Sequence, residues 1–189
     1  MNKNEIGGII KVALSFLVLF ILSSCGNKDD IKPMDYRQEM RNFVISIGQY
    51  AKSLDPDFII IPQNGIELIT NNSETITDLN SSYFDAVNGF GQEDLYYGYY
   101  ANDLSTPGDV TNYLNSYLSK ARTNGKTILV TDYCFSLEKI ANSYNQNNSN
   151  NYVSFAANSR ELDRMPFFPK EPYKINDSPI ADLSQIKNF

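Results

Sequence analysis

The side chains of this sequence best suited to chemistry are concentrated in one stretch, residues 89–100. Two adjacent carboxylates, Glu93 and Asp94, lie among five aromatic residues between Phe90 and Tyr100. Sugar faces stack on aromatic rings, and glycosidic bonds are cleaved by pairs of carboxyl groups. The stretch therefore indicates a carbohydrate site. The alternative is a tyrosine-rich strand whose two carboxylates are only solvated.

Composition narrows the chemistry that the chain can perform. Among its 189 residues there is no histidine and no tryptophan, and the net charge is -6. The lack of histidine excludes a Ser-His-Asp triad and histidine-ligated zinc, so acid–base work falls to Asp, Glu, Tyr or Lys. An acidic chain without a basic stripe argues against a nucleic-acid partner. With no nucleotide-binding glycine motif in the sequence, we predict no cofactor and no metal.

The first 24 residues predict a lipoprotein signal peptide. Two lysines precede an apolar run over residues 12–22, which is too short to span a bilayer but suits the core of a signal. The segment Leu22-Ser23-Ser24-Cys25 resembles a lipobox, in which the cysteine is lipidated after cleavage. The alternative is an uncleaved signal anchor.

The compartment follows from this signal. We predict a lipid-anchored protein of the bacterial cell envelope, with residues 25–34 as a tether. Lys28-Asp29-Asp30 resembles the short tags of surface lipoproteins, so we expect the outer membrane and exposure at the cell surface. The other cysteine, Cys134, follows an apolar run and is predicted to be a buried, inert thiol.

Helical and strand patterns alternate along residues 35–189, which we predict to form one domain. A helix from Asp35 to Leu54 is expected to bury Met40, Phe43, Val44, Ile47, Tyr50, Ala51 and Leu54. Apolar runs predict strands over 58–61, 83–90, 127–131 and 152–156. A second helix, capped by Thr106, is expected to end at Asn124-Gly125, and a third to start at Ser136 and precede an Asn-rich insertion over 145–151.

This alternation predicts an α/β fold with parallel (β/α) units. Polar side chains follow each predicted strand, as on the functional face of a TIM barrel. A doubly wound sheet also places ligands at strand ends and stays as the alternative.

Several short motifs occur in an order that resembles a known family. They are Arg41-Asn42-Phe43-Val44, Pro62-Gln63-Asn64-Gly65, Gly91-Gln92-Glu93-Asp94-Leu95-Tyr96-Tyr97-Gly98, Val130-Thr131-Asp132-Tyr133 and Ser154-Phe155-Ala156-Ala157. Together they resemble the glycosidase-like TIM-barrel proteins related to endo-α-1,4-polygalactosaminidase, glycoside hydrolase family 114. The resemblance implies a hydrolase that acts on an amino-sugar or related polysaccharide.

The resemblance also implies roles for individual residues. Glu93 matches one carboxyl of the catalytic pair, and Asp132 matches an acidic position at the next strand tip. Because neighbours on a strand point to opposite faces, Glu93 with Asp132 is the pair that we expect, and not Glu93 with Asp94. The predicted contacts to substrate are Gln63, Asn64, Asp94, Tyr133 and Arg160. The alternatives are that Gln63, Asn64 and Arg160 cap strand ends and turns, and that Tyr133 belongs to the core.

Length modifies these expectations. A closed barrel of this kind has eight strands in about 250 residues, whereas four strands are predicted here. We therefore expect an incomplete, half barrel with impaired catalysis, for which a second chain is a candidate partner. The alternatives are a small α/β domain complete in itself, a non-catalytic glycan-binding lipoprotein or inactive remnant, and a structural role in the envelope.

Overall fold

The computed structural model describes residues 33–72 and 76–163. By internal contacts the chain divides into Met1–Asp35 and Tyr36–Phe189, and every element described below belongs to the second unit. The predicted signal peptide and the lipidation site at Cys25 lie outside the described residues. Within those residues, no helix has the length and apolar character needed to cross a bilayer.

The fold is α/β, as predicted, and is built on a small parallel sheet. In chain order the elements are α1 (Tyr36–Leu54), a 3-10 helix (Ile66–Ile69), α2 (Ser81–Ala86), β1 (Gly89–Glu93), α3 (Gly108–Thr123), β2 (Thr127–Tyr133), α4 (Leu137–Ser149) and β3 (Val153–Ala157). The three strands lie in the order β1-β2-β3. Both pairings are parallel, with α3 and α4 as the crossovers.

Strand register decides which side chains share a face of the sheet. Glu93 is paired with Thr131, and Thr131 with Phe155. Because side chains alternate along a strand, Tyr133 shares the face of Thr131, whereas Asp132 points to the opposite face. That opposite face meets the helices, and its core includes Phe90, Ile128, Val130 and Ala156 from the strands with Tyr117, Leu118, Ala121, Ile140 and Tyr144 from α3 and α4.

The first predicted strand, over 58–61, is wrong as a buried strand. This extended segment joins the sheet through a single bridge between Gln63 and Gly91. Pro62 has no N–H to donate, although its carbonyl accepts from Gly91 N at 2.9 Å. Phe58 is 48% exposed, so the segment is not buried on both faces.

The second predicted strand, over 83–90, begins six residues too early. Asn80 accepts a hydrogen bond from Tyr83 N at 2.9 Å and so caps a helix, α2, where the apolar run predicted a strand. Tyr83 and Phe84 are buried, and each ring lies 6.2 Å from that of Phe90. The strand itself starts at Gly89.

The predicted core face of α1 is largely wrong. The helix turns Arg41 and Gly48 inward, while Val44, Ile45 and Ala51 pack against the core. Arg41 is buried because its guanidinium donates to the backbone carbonyls of Leu68, at 2.9 Å, and of Thr70. The exposed residues include Met40, Phe43, Ile47, Tyr50 and Leu54.

Two details of the later helices also differ from the prediction. Helix α4 continues through most of the predicted Asn-rich insertion, and Asn147 in its last turns is fully buried. Thr106 does not cap α3. Its hydroxyl donates to the carbonyl of Asp94 at 2.7 Å and ties the loop before α3 to the end of β1. By contrast, β3 lies within one residue of its predicted position.

Candidate functional site

An open cleft of ≈ 610 Å³ lies beside the carboxyl end of β1. Four carboxylates and two tyrosines belong to its wall, together with the end of the segment that precedes the 3-10 helix. The lining residues include Asn64, Glu67, Glu93, Asp94, Tyr99, Asp109 and Tyr113. The cleft is therefore acidic and partly aromatic, in line with the carbohydrate interpretation of residues 89–100.

Glu93, the last residue of β1, is held by two donors. The Tyr133 hydroxyl donates to Glu93 Oε1 at 2.8 Å, and the Asn64 amide donates to Oε2 at 3.5 Å. Asn64 has φ 58, and its side-chain oxygen accepts from Glu93 N at 3.0 Å. The left-handed backbone of Asn64 thus turns its amide to the tip of β1, a conformation that asparagine tolerates better than most residues.

Tyr133, the last residue of β2, is buried between two charged groups. Burial, and then the hydrogen bond and negative charge of Glu93, raise the pKa of Tyr133 to about 12. The Arg160 guanidinium carbon lies 4.2 Å from the centre of the Tyr133 ring. The phenol consequently stays protonated near neutral pH and continues to donate to Glu93.

Asp94 lies in the same cleft as Glu93, which corrects the prediction that the two side chains point to opposite faces. Asp94 has φ 57, so the regular alternation of β1 ends before it. Arg160 pairs with Asp94 Oδ1 at 3.2 Å. Burial and the neighbouring charge of Glu93 raise the pKa of Asp94, and Arg160 partly opposes this rise.

Gly98 makes room for this arrangement. With φ +121, it adopts a backbone conformation that other residues rarely take, and a Cβ there would lie 2.1 Å from Asp94 Oδ1. Its carbonyl accepts from Arg160 at 2.5 Å, and the Asn102 side chain accepts from the same guanidinium at 2.9 Å. Arg160 therefore joins the turn after β1 to the residues that follow β3.

Asp132 is not part of the cleft, contrary to the predicted pairing with Glu93. It is fully buried on the helix-facing side of β2. Its Oδ1 accepts from Tyr96 N at 2.8 Å and Tyr97 N at 3.2 Å, and its Oδ2 accepts from Ser143 Oγ at 2.5 Å and Asn147 Nδ2 at 3.3 Å. Burial raises the pKa of Asp132, while these four donors favour the carboxylate. Its role is to hold the turn after β1 against α4.

Gln63 does not line the cleft either. A Cβ on Gly91 would lie 2.0 Å from Gln63 Oε1, so the Gln63 side chain lies against β1 in the space that Gly91 leaves. The structure thus brings together five of the seven predicted site residues: Asn64, Glu93, Asp94, Tyr133 and Arg160.

Several residues of the cleft wall were not predicted from the sequence. Tyr113 of α3 is one of them and is 46% exposed. Burial of its hydroxyl and hydrogen bonds with Tyr117 and Glu67 raise the pKa of Tyr113 to about 12. Of the aromatic residues between 90 and 100, only Tyr99 and Tyr100 are exposed. Tyr99 follows the carboxyl end of β1, and Asp109 and Tyr113 lie near the start of α3. Active sites of β/α barrels lie at this end of the strands, so their position could have indicated them.

Across residues 33–72 and 76–163, no group of three or more His, Cys, Asp or Glu side chains could hold a metal ion.

Comparison with known proteins adds one relative. No protein family model matches the sequence. An uncharacterized protein of Thermotoga maritima is 30% identical to the chain over 137 residues, which is 68% of this chain and 39% of that protein. The chain thus aligns with well under half the length of this relative.

Proposed function

We propose that the cleft binds a polysaccharide and that Glu93 is one carboxyl of a glycosidase-type pair. The observation that carries the proposal is the arrangement of Glu93, held by Tyr133 and Asn64 at the end of a parallel strand and open to an acidic cleft. Glycosidic bond cleavage passes through an oxocarbenium-like transition state, which an oriented carboxylate stabilises. The amino-sugar or related polysaccharide implied by the family resemblance is the proposed substrate.

Asp94 replaces Asp132 as the proposed second carboxyl. It shares the cleft with Glu93, and burial together with the charge of Glu93 raises its pKa. A carboxyl whose environment favours the proton is suited to donate it to the departing glycosidic oxygen. Glu93, which accepts hydrogen bonds from two donors, then supplies the negative charge.

The wall of the cleft supplies the binding surface. Tyr99 and Tyr113 are both about half exposed and offer ring faces to a sugar. Glu67 and Asp109 provide oxygen acceptors for sugar hydroxyl or amine groups.

The proposed architecture is part of a (β/α)8 barrel of the glycoside hydrolase family 114 type. Three parallel strands with helical crossovers support it, as does the position of Glu93, Tyr133 and Arg160 at or after the carboxyl ends of successive strands. Active sites of such barrels lie at that end.

An assay of the hydrolysis of an α-1,4-linked galactosaminogalactan tests the proposal. The reducing ends that are released measure the turnover. We expect turnover by the wild-type chain and a loss of at least about 100-fold in Glu93→Gln, because the amide carries no charge to stabilise the transition state. Glu39→Gln makes the same chemical change at an exposed position of α1 and is expected to retain activity. Equal turnover in Glu93→Gln and wild type would rule out the assignment.

A non-catalytic glycan-binding function is the second candidate. The ion pair between Asp94 and Arg160 favours this function, because it engages the carboxyl that is proposed as the proton donor. Binding of the same polysaccharide without release of reducing ends, and with weaker binding in Tyr113→Ala, would select this function.

A further inference from the structure

Helix α1 carries an apolar stripe that the other residues described by the structure leave uncovered. The stripe consists of six large side chains whose exposure runs from 44% at Ile47 to 77% at Tyr36. Its members are Tyr36, Met40, Phe43, Ile47, Tyr50 and Leu54. A contiguous exposed apolar surface of this kind marks an interaction site, whereas isolated exposed apolar residues do not.

The spacing within the stripe indicates that its occupant is a helix. Successive members are four, three, four, three and four residues apart. This is the seven-residue repeat of the a and d positions of coiled coils, in which each side chain inserts between side chains of a facing helix. The 19 residues of α1 give a contact surface about 28 Å long.

The stripe is also complementary to itself in the antiparallel direction. A two-fold axis beside residue 45 would set Tyr36 against Leu54, Met40 against Tyr50, and Phe43 against Ile47 of the second copy. Such an isologous contact is the commonest form of protein dimer. Antiparallel helices also avoid placing their like dipole ends together.

Charges along the border of the stripe allow this pairing. The bordering positions on its outer side hold Glu39, Ser46 and Ser53. In the antiparallel register Glu39 lies opposite Ser53 and Ser46 lies opposite Ser46, so no like charges meet although the chain is acidic overall.

We propose that the protein forms a two-fold dimer in which the α1 stripes of two copies pack antiparallel. The members of the stripe do not line the cleft, so the dimer leaves both clefts open. The proposal is independent of the catalytic assignment, since neither Glu93 nor its partners belong to α1.

Sedimentation of the full chain from about 1 μM to about 100 μM tests the dimer. We expect a dimer for wild type and a dissociation constant raised at least about 100-fold by Phe43→Glu, with unchanged circular dichroism because Phe43 is already exposed. Gln49→Glu introduces the same charge on α1 outside the stripe and should remain dimeric. A wild-type monomer at the highest concentration, including one that binds phosphatidylcholine vesicles, would overturn the proposal.

A cysteine placed near the two-fold axis tests the register. Under mild oxidation, Ser46→Cys should give a covalent dimer, whereas wild type and Gln49→Cys should not. A dimer that persists unchanged in Phe43→Glu, or that cross-links more readily through Gln49→Cys, would contradict the antiparallel packing.

Discussion

At the scale of single residues, Tyr133 determines how Glu93 is presented. The phenol is buried, donates to Glu93 at 2.8 Å and lies beneath the Arg160 guanidinium. Because its pKa is raised to about 12, this donor is lost only in strongly alkaline solution. Tyr133 therefore keeps the proton that it donates to Glu93 at neutral and acidic pH.

The Tyr133→Phe substitution removes this donor and keeps the ring under Arg160. A hydrogen bond to a charged group contributes about 1.5–3 kcal/mol, so we expect kcat to fall about tenfold or more with little change in KM. The measurement is steady-state release of reducing ends from the polysaccharide.

The matched control for this prediction is Tyr152→Phe. The Tyr152 hydroxyl is buried, has no hydrogen-bond partner within residues 33–72 and 76–163, and does not line the cleft, so its removal should leave kcat unchanged. Equal kcat values for Tyr133→Phe and wild type would show that Tyr133 does not position Glu93.

At the scale of elements, the start of α4 is fixed by a residue from a distant loop. Ser136 occupies the N-cap position, but its side chain makes no cap hydrogen bond. Instead, Asp103 accepts from the backbone N–H groups of Phe135 and Ser136, each at 2.9 Å, and from the Ser136 hydroxyl. Burial would raise the pKa of Asp103, but these hydrogen bonds and Lys139 outweigh it and hold the pKa well below its ordinary value.

These contacts of Asp103 make stability depend on pH in a defined direction. A lowered pKa in the folded state means that Asp103 stabilises the fold above its ordinary pKa of about 4 and loses this contribution as pH falls towards the folded value. In urea unfolding between about pH 6 and pH 2, we expect the stability difference between wild type and Asp103→Asn to shrink with falling pH. The exposed Asp57→Asn should show no such trend, and a constant difference for Asp103→Asn would refute this role of the Asp103 carboxylate.

The elements also show where sequence patterns suffice and where they fail. The apolar runs of β2 and β3 predicted strands because β2 is buried between β1 and β3, and β3 packs against β2 and α4. The run over 83–90 failed because Asn80 caps a helix, which removes Tyr83 and Phe84 from any strand. The periodicity of α1 correctly predicted a helix but not its inner face, since a buried Arg41 satisfied by carbonyls has no apolar signal.

At the scale of the whole molecule, the alternation of strands and helices predicted a parallel α/β fold, and the structure confirms it with three strands. Five of the residues predicted at the strand tips lie together in the structure, at the carboxyl end of the sheet. Asp132 was assigned to the wrong face of the sheet. The face that a strand residue takes depends on the strand register, which the order of residues in the sequence does not give. Asp94 was misplaced because its left-handed backbone, φ 57, ends the alternation one residue earlier than expected.

The predicted lipid anchor at Cys25 concerns how the whole molecule is held in the cell. Only two cysteines exist, and Cys134 is fully buried, with its pKa raised to about 12 by burial. Expressed in a Gram-negative bacterium with labelled palmitate, the wild-type chain should incorporate label and partition into detergent, because buried acyl chains contribute about 0.8 kcal/mol per methylene. Cys25→Ser should lose the label, whereas Cys134→Ser should keep it. Label retained in Cys25→Ser, or absent from wild type, would contradict the anchor. The protein would then have to be held at the cell surface by another means.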